Sequence, residues 1–401
     1  MREAWRWFGP NDPVTLDEIR QTGATDIVSA LHNIPAGEVW TKDAIGEHQS
    51  LIEQNNEGLS PLTWSVVESI PVHESIKLGE SGCQVFIDNW ITSMENLAAC
   101  GIKVICYNFM PVIDWTRTDL DFKLPNGAYA LRFDQNEFAA FDLYILQREA
   151  AESEYSQQER KAAKAVYDAM EEEQRSLLTR NIIAGLPGKM TDAYTLDDFR
   201  DMLARYKHID GRQLRDNLFS FLAKVLPRAE ALGVKLGIHP DDPPRDMLGL
   251  PRVVCTADDL DLLFHQLPSP SNGVTLCVGT FSSRPDNDLP YMAKHFGSRI
   301  HFSHLRGVKL DPNEQRTFFE AGHLDSDVDM VRVIQALLEQ EVKRKKDKEA
   351  IPIFIRPDHG HRMMGDIGKQ VNPGYSGIGR LKGLAEIRGV IKALSVVNAY
   401  E

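Results

Sequence analysis

The sequence has no cysteine framework. Its five cysteines (Cys83, Cys100, Cys106, Cys255 and Cys277) in 401 residues are odd in number and form no C-x-x-C pair. That speaks against a disulfide scaffold and against a structural zinc knuckle. Positive charge is also short: 45 Lys and Arg against 58 Asp and Glu leave a net charge of −13. Binders of nucleic acid and of anionic membranes carry clustered basic surface, so neither partner is expected. The opening MREAWRWFGP has no apolar signal core, and the chain has no run of about 18 apolar residues. A cytoplasmic protein with no membrane association is therefore expected. There is no internal repeat.

What remains is ordinary for a globular protein: 42% hydrophobic and 26% charged residues. Eight short apolar runs recur, at 4–8 (AWRWF), 26–31, 62–67, 102–109, 234–239, 273–278, 300–305 and 351–355. Their near-continuous apolarity suits strands covered on both faces. Amphipathic stretches separate them. TLDEIRQTG (15–23) starts with a Thr cap and Glu18 at the capping-box position and stops at glycine, and TADDLDLLFHQL (256–267) has a similar start. Helical spacing also runs through 88–101, 212–233, 326–342 and 375–394.

Eight strands each followed by a helix predict a (β/α)8 TIM barrel as a single domain over 1–401. One gap is long: about 125 residues separate the fourth and fifth strands. A structureless loop of that length is improbable in a compact domain, so a mainly helical insertion is expected over about 120–211. Its charge suits a solvated face for most of its length, with a subunit interface or a lid as alternatives.

Catalytic groups of such a barrel sit at the carboxyl ends of the strands. Strands five to eight end in or near His239, Cys277, His304 and Asp358. Each is a possible metal ligand, and adjacent strand ends converge on the barrel axis. Taken singly, Cys277 is a small buried hydrophobe, His239 a loop cap and Asp358 a helix cap; taken together they predict a metal site. Strand alternation lets only one of His301 and His304 point inward, and His304 lies nearer the strand end. Thiolate favours zinc or iron, while imidazole and carboxylate also accept manganese, so the donor set leaves the metal open. Arg306 and Arg356 are candidates for gripping an anionic substrate, with structural ion pairing as the alternative. His32, Asn108 and His323 are candidate hydroxyl binders. His361 and Arg362 are expected only to orient their loop, and His48, His208, His265 and His295 fall at surface or helix positions.

Long motifs then carry a resemblance. WRWFGPNDPV (5–14), ALHNIPAGEVW (30–40), VVESIPVHESIKLG (66–79), YNFMPVIDWTRTDL (107–120), GIHPDDPP (237–244), HLDSDVDM (323–330) and RPDHGHRM with NPGYSGIGRLKGLAEIRG (356–389) resemble the mannonate dehydratases of hexuronate catabolism, in their longer form. The resemblance spans the chain. It implies a TIM barrel that dehydrates D-mannonate to 2-dehydro-3-deoxy-D-gluconate with a divalent metal, Mn2+ or Fe2+, Zn2+ not being excluded by the sequence. It also implies His239, Cys277, His304 and Asp358 as metal ligands and His359 with Tyr375 as the acid/base pair, and a homo-oligomer is expected. Two other readings stay open: a metal-dependent sugar isomerase or epimerase on a xylose-isomerase-like barrel, and a non-catalytic barrel that binds sugar acids.

Overall fold

A computed structural model describes residues 1–54, 58–183, 195–347, 351–398 and 400. Twelve strands occur among them: β1 (Arg2–Arg6), β2 (Asp26–Ser29), β3 (Thr63–Glu68), β4 (Val104–Tyr107), β5 (Asp119–Lys123), β6 (Tyr129–Phe133), β7 (Lys235–Ile238), β8 (Asn272–Cys277), β9 (Ile300–His304), β10 (Val308–Leu310), β11 (Phe318–Glu320) and β12 (Phe354–Arg356). Eight of them close into a barrel in the order β1-β12-β9-β8-β7-β4-β3-β2, and every neighbouring pair is parallel. The eight predicted runs are these eight strands, with ends that shift. The last strand starts at Phe354 rather than 351, because the Ile353 N–H goes to the Glu341 carboxylate (3.0 Å) rather than to a neighbouring strand.

Sequence signals at helix ends are realised as local structure. Thr15 and Glu18 form a reciprocal capping box at Leu16–Thr22, as do Thr256 and Asp259 at Ala257–Gln266. Gly233 ends Gly211–Leu232 at φ 66°, a left-handed cap that an L side chain rarely adopts, and turns the chain into β7. The largest core lies between barrel and helices, and a smaller one plugs the barrel interior with Ala4, Val28, Val66, Val104, Cys106, Phe302 and Phe354. Among the described residues no helix is long and apolar enough to cross a membrane.

Between β4 and β7, which are hydrogen-bonded neighbours, the chain does more than make helices. Helices Gln135–Ala140, Gln157–Ala169, Glu172–Ile183 and Leu196–Ala204 are present, and residues 184–194 of the expected insertion lie outside the described residues. Ahead of these helices, β5 and β6 form an antiparallel hairpin. It joins β10 and β11, which follow the seventh barrel strand, in a four-stranded sheet of order β10-β11-β6-β5. Nor is the helical part merely a solvated face. Phe138, Phe141, Leu178, Ile182, Phe199 and Leu203 share a core with Phe133 of β6 and Phe318 of β11.

Candidate metal centre and active site

Register brings the strand-end residues to one level. Cys277 pairs with His304, and His304 with Arg356, so the three side chains share the inward face. The His239 N–H bonds the Tyr107 carbonyl (2.7 Å), holding His239 at the mouth just past β7. Ligand atoms of His239, Cys277 and His304 all lie within 4.8 Å of one another. Asp358, two residues beyond β12, adopts the left-handed region (φ 62°), which Asp tolerates better than most residues. Its carboxylate stands 3.7 Å from Cys277 Sγ and 3.8 Å from His304 Nδ1.

The donors are prepared for a cation. His239 Nδ1 lies 2.7 Å from the Pro240 carbonyl, which can only accept, so Nδ1 carries the proton and Nε2 keeps a lone pair. The ring nitrogens of His304 are buried with only long polar contacts, Nε2 at 3.5 Å from Glu68 and Nδ1 at 3.8 Å from Asp358, which leaves a ring nitrogen able to take a metal ion. A set of two imidazoles, a thiol and a neighbouring carboxylate suits a divalent transition metal.

Around this cluster runs a buried chain of alternating charge. Arg6 reaches Glu68 (3.2 Å), Glu68 meets Arg356 (2.9 Å), and Arg356 meets Asp358 (2.6 Å). Asp358 meets Arg306 (2.5 Å), and Arg306 divides between Asp242 (2.7 Å) and Glu320 (3.2 Å). Arg117 closes the far end on Asp242 (2.8 Å) and Glu320 (2.9 Å). Burial alone would raise the carboxyl pKa values, but the guanidiniums outweigh it. Arg356 above all holds Asp358 and Glu68 well below the carboxylate range, and Arg306, His359 and Arg117 hold Glu320 at about 2.

The sequence-predicted residues separate into groups. His359 and Tyr375 meet edge to face at 4.8 Å beside Asp358. They line one cavity with Asn108, His239, Arg306 and Arg356. Burial raises the Tyr375 hydroxyl pKa, so the phenol keeps its proton. The guanidiniums of Arg306 and Arg356, candidates for gripping a substrate anion, are instead engaged by protein carboxylates. His32 stands at the end of the second strand beside the Phe8 ring (5.7 Å), its Nε2 unpartnered. Burial first, then Arg6, pushes its pKa down to about 3. His323 lies outside the cavity and bonds the Pro357 carbonyl at 2.7 Å, bracing the turn that carries Asp358. Five charged participants were not among the candidate site residues: Arg6, Glu68, Arg117, Asp242 and Glu320. All but Glu320 fall within motifs quoted above, but no spacing ties any of them to the site.

The D-mannonate dehydratase (UxuA) family model matches residues 1–401. The chain belongs to that family. Over 395 residues it is 53% identical to the mannonate dehydratase of Chromohalobacter salexigens, covering 98% of this chain and 99% of that relative. Over 394 residues it is 54% identical to the Brucella canis mannonate dehydratase, covering 98% and 97%. The crystal structure of mannonate dehydratase from Streptococcus suis serotype 2 superposes with a TM-score of 0.76 at 31% identity, over 100% of this chain and 95% of that one. A xylose isomerase-like TIM barrel protein from Mycobacterium smegmatis, solved with magnesium, matches at TM-score 0.50 and 12% identity over 98% and 97%, a likeness of fold alone. The family is metal-dependent, and the His239–Cys277–His304 cluster is a group that could hold a metal ion.

Proposed function

We propose that this protein dehydrates D-mannonate to 2-dehydro-3-deoxy-D-gluconate and water at the barrel mouth. Beyond family membership, one observation supports this: a His–Cys–His donor cluster with Asp358 beside it opens onto the paired rings of His359 and Tyr375. When held by His239, Cys277, His304 and Asp358, a divalent cation, Mn2+ or Fe2+ on this reading, supplies Lewis-acid stabilisation to charge developing on the substrate's carboxylate and C2 oxygen.

The reaction removes the C2 proton and expels the C3 hydroxyl, and the enol tautomerises to the 2-keto acid. A base must face C2 and an acid the C3 oxygen. His359 and Tyr375 divide these tasks. Tyr375 enters with its proton in place, and His359, with Nδ1 committed to Glu320, has Nε2 left for proton exchange. Arg306 and Arg356 neutralise Asp358, Asp242 and Glu68, so that a sugar acid is not repelled by a bare cluster of carboxylates. Asn108, on the cavity wall, and His32, which meets the Phe8 ring that in turn meets Tyr375 at 4.7 Å, are suited to hydrogen-bond substrate hydroxyls.

Incubation with D-mannonate across Mn2+, Fe2+ and Zn2+, followed by periodate–thiobarbiturate detection of a 2-keto-3-deoxy acid, tests the assignment. Colour with Mn2+ or Fe2+ is expected. No colour with any of the three ions sinks it.

A further inference from the structure

The D-H-G-H run at 358–361 contains two histidines, and both grip one residue that lies on no barrel strand. His359 Nδ1 lies 2.7 and 2.9 Å from the two carboxylate oxygens of Glu320, and His361 Nε2 lies 2.8 Å from the Glu320 backbone carbonyl. We propose that Glu320 is the positioning residue for His359, fixing the tautomer and the direction in which its second nitrogen faces substrate. This rests on the reading of His359 as an acid/base group.

An ionised carboxylate only accepts hydrogen bonds, so contact with Glu320 places the ring proton on Nδ1 and turns Nε2 toward the cavity, 3.9 Å from Asp358. Glu320 is itself immobilised. Arg117 and Arg306 bind its carboxylate, and Arg117 lies between the rings of Trp115 (4.8 Å) and Phe318 (5.0 Å). The imidazole is confined on its other sides by the Trp115 ring and by Gly374, where an added Cβ would come within 3.1 Å of the His359 ring. Glu320 ends β11, which pairs with β10 and, through Phe318 and Phe319, with β6 from between the fourth and fifth barrel strands. The sheet outside the barrel therefore sets the orientation of a group that the barrel's last loop supplies. A carboxylate behind a catalytic imidazole is a known way to select tautomer and direction. If Glu320 were only one more buried ion-pair partner, its loss would lower stability, metal retention and substrate binding together.

Steady-state kinetics on the metal-loaded full chain decides between these roles. For Glu320→Gln, kcat is expected to fall on the order of a hundredfold, with KM for D-mannonate within about threefold of wild type and bound metal unchanged. Glu320→Asp keeps the carboxylate one methylene further away and should recover about tenfold over Glu320→Gln. Unchanged kcat in Glu320→Gln, or parallel losses in kcat, KM and metal content, overturns the positioning role. Should Glu320→Gln not fold, Glu320→Asp decides: a kcat about tenfold below wild type at unchanged KM and metal content supports the role, and wild-type kcat or loss of metal overturns it. His359→Gln run in parallel separates the two levels. Wild-type turnover there defeats the reading of His359 itself, whereas an inactive His359→Gln beside a fully active Glu320→Gln defeats only the part given to Glu320.

Discussion

Two layers of the barrel interior, one residue pair apart, have opposite chemistry. Ala4, Val66, Phe302 and Phe354 belong to the apolar plug. Two positions on along the same strands, and so on the same inward face, stand Arg6, Glu68, His304 and Arg356. Strand geometry does not change between the layers; only depth does. The plug is held by dispersion and burial, which degrade by degrees as atoms are removed. The upper layer is held by complementarity among buried charges, where loss of one partner leaves another exposed to a low dielectric with nothing to answer it. Function sits in the layer that tolerates change least.

The largest expected effect comes from breaking the upper layer at the metal donors. Cys277→Ser or Asp358→Asn should lower kcat/KM for D-mannonate on the order of a thousandfold, with bound Mn2+ or Fe2+ lost in elemental analysis. Full activity with full metal content would remove either residue from the donor set. Next comes a break in the charge chain itself. Arg356→Met takes from Glu68 and Asp358 the guanidinium they share, leaving Arg6 and Arg306 as their remaining guanidinium partners, and should cost roughly 3–5 kcal/mol of stability, read as a lower urea midpoint. A midpoint equal to wild type would show that complementarity among the buried charges does not hold the upper layer.

One step down each strand the penalty should shrink and change in kind. Val66→Ala, two residues below Glu68, should cost roughly 1–3 kcal/mol with turnover of the folded protein within about twofold of wild type. A collapse of activity in that variant would erase the distinction between plug and site. The smallest effect is a pH slope. Burial first, with Arg6 second for His32, lowers the pKa of His32 to about 3 and burial lowers that of His48 to about 4. Both are depressed relative to the unfolded value near 6.5, so below that pH the unfolded chain takes up protons that the fold refuses. Melting temperature should therefore decline as pH falls from about 6.5 towards 4, and His48→Gln, which can keep the bond to Ser29 (2.9 Å), should flatten the decline by a few degrees. Identical slopes in the two proteins would mean that His48 titrates alike folded and unfolded.

The plug and the strand ends were legible because one periodic signal carried both: apolar runs of strand length, all but the first with a polar residue at or next to the end. Cys277 and His304 could be placed from that count alone, since neighbouring parallel strands bring their ends together. Glu320 and Arg117 could not. β11 is a three-residue strand, FFE, and β5 reads DLDFK, too short or too mixed to stand out from the charged segments around them. Their partnership is a matter of long-range pairing: Phe318 lies opposite Phe133, and no local pattern encodes that contact. Arg306 and Arg356 were expected to grip a substrate anion or to form structural ion pairs, and which carboxylate each meets depends on Asp242 and Glu68, whose places only the closed barrel defines. His361 was expected to do no more than orient its loop, and its hold on the Glu320 carbonyl appears only once β11 is in place.

β1 and β12 are neighbours in the barrel although they are its first and last strands in the chain, and the link from Arg6 through Glu68 to Arg356 crosses that seam. On the ribosome, Arg6 and Glu68 emerge long before Arg356, Asp358 and His359 do. Until the final strand arrives, the nascent sheet has raw edges at β1 and β9. Closing the cylinder and completing the charged layer are thus one event, which waits for β12. A chain cut short ahead of Arg356 presents a sticky open sheet to chaperones and proteases, not a feebler enzyme.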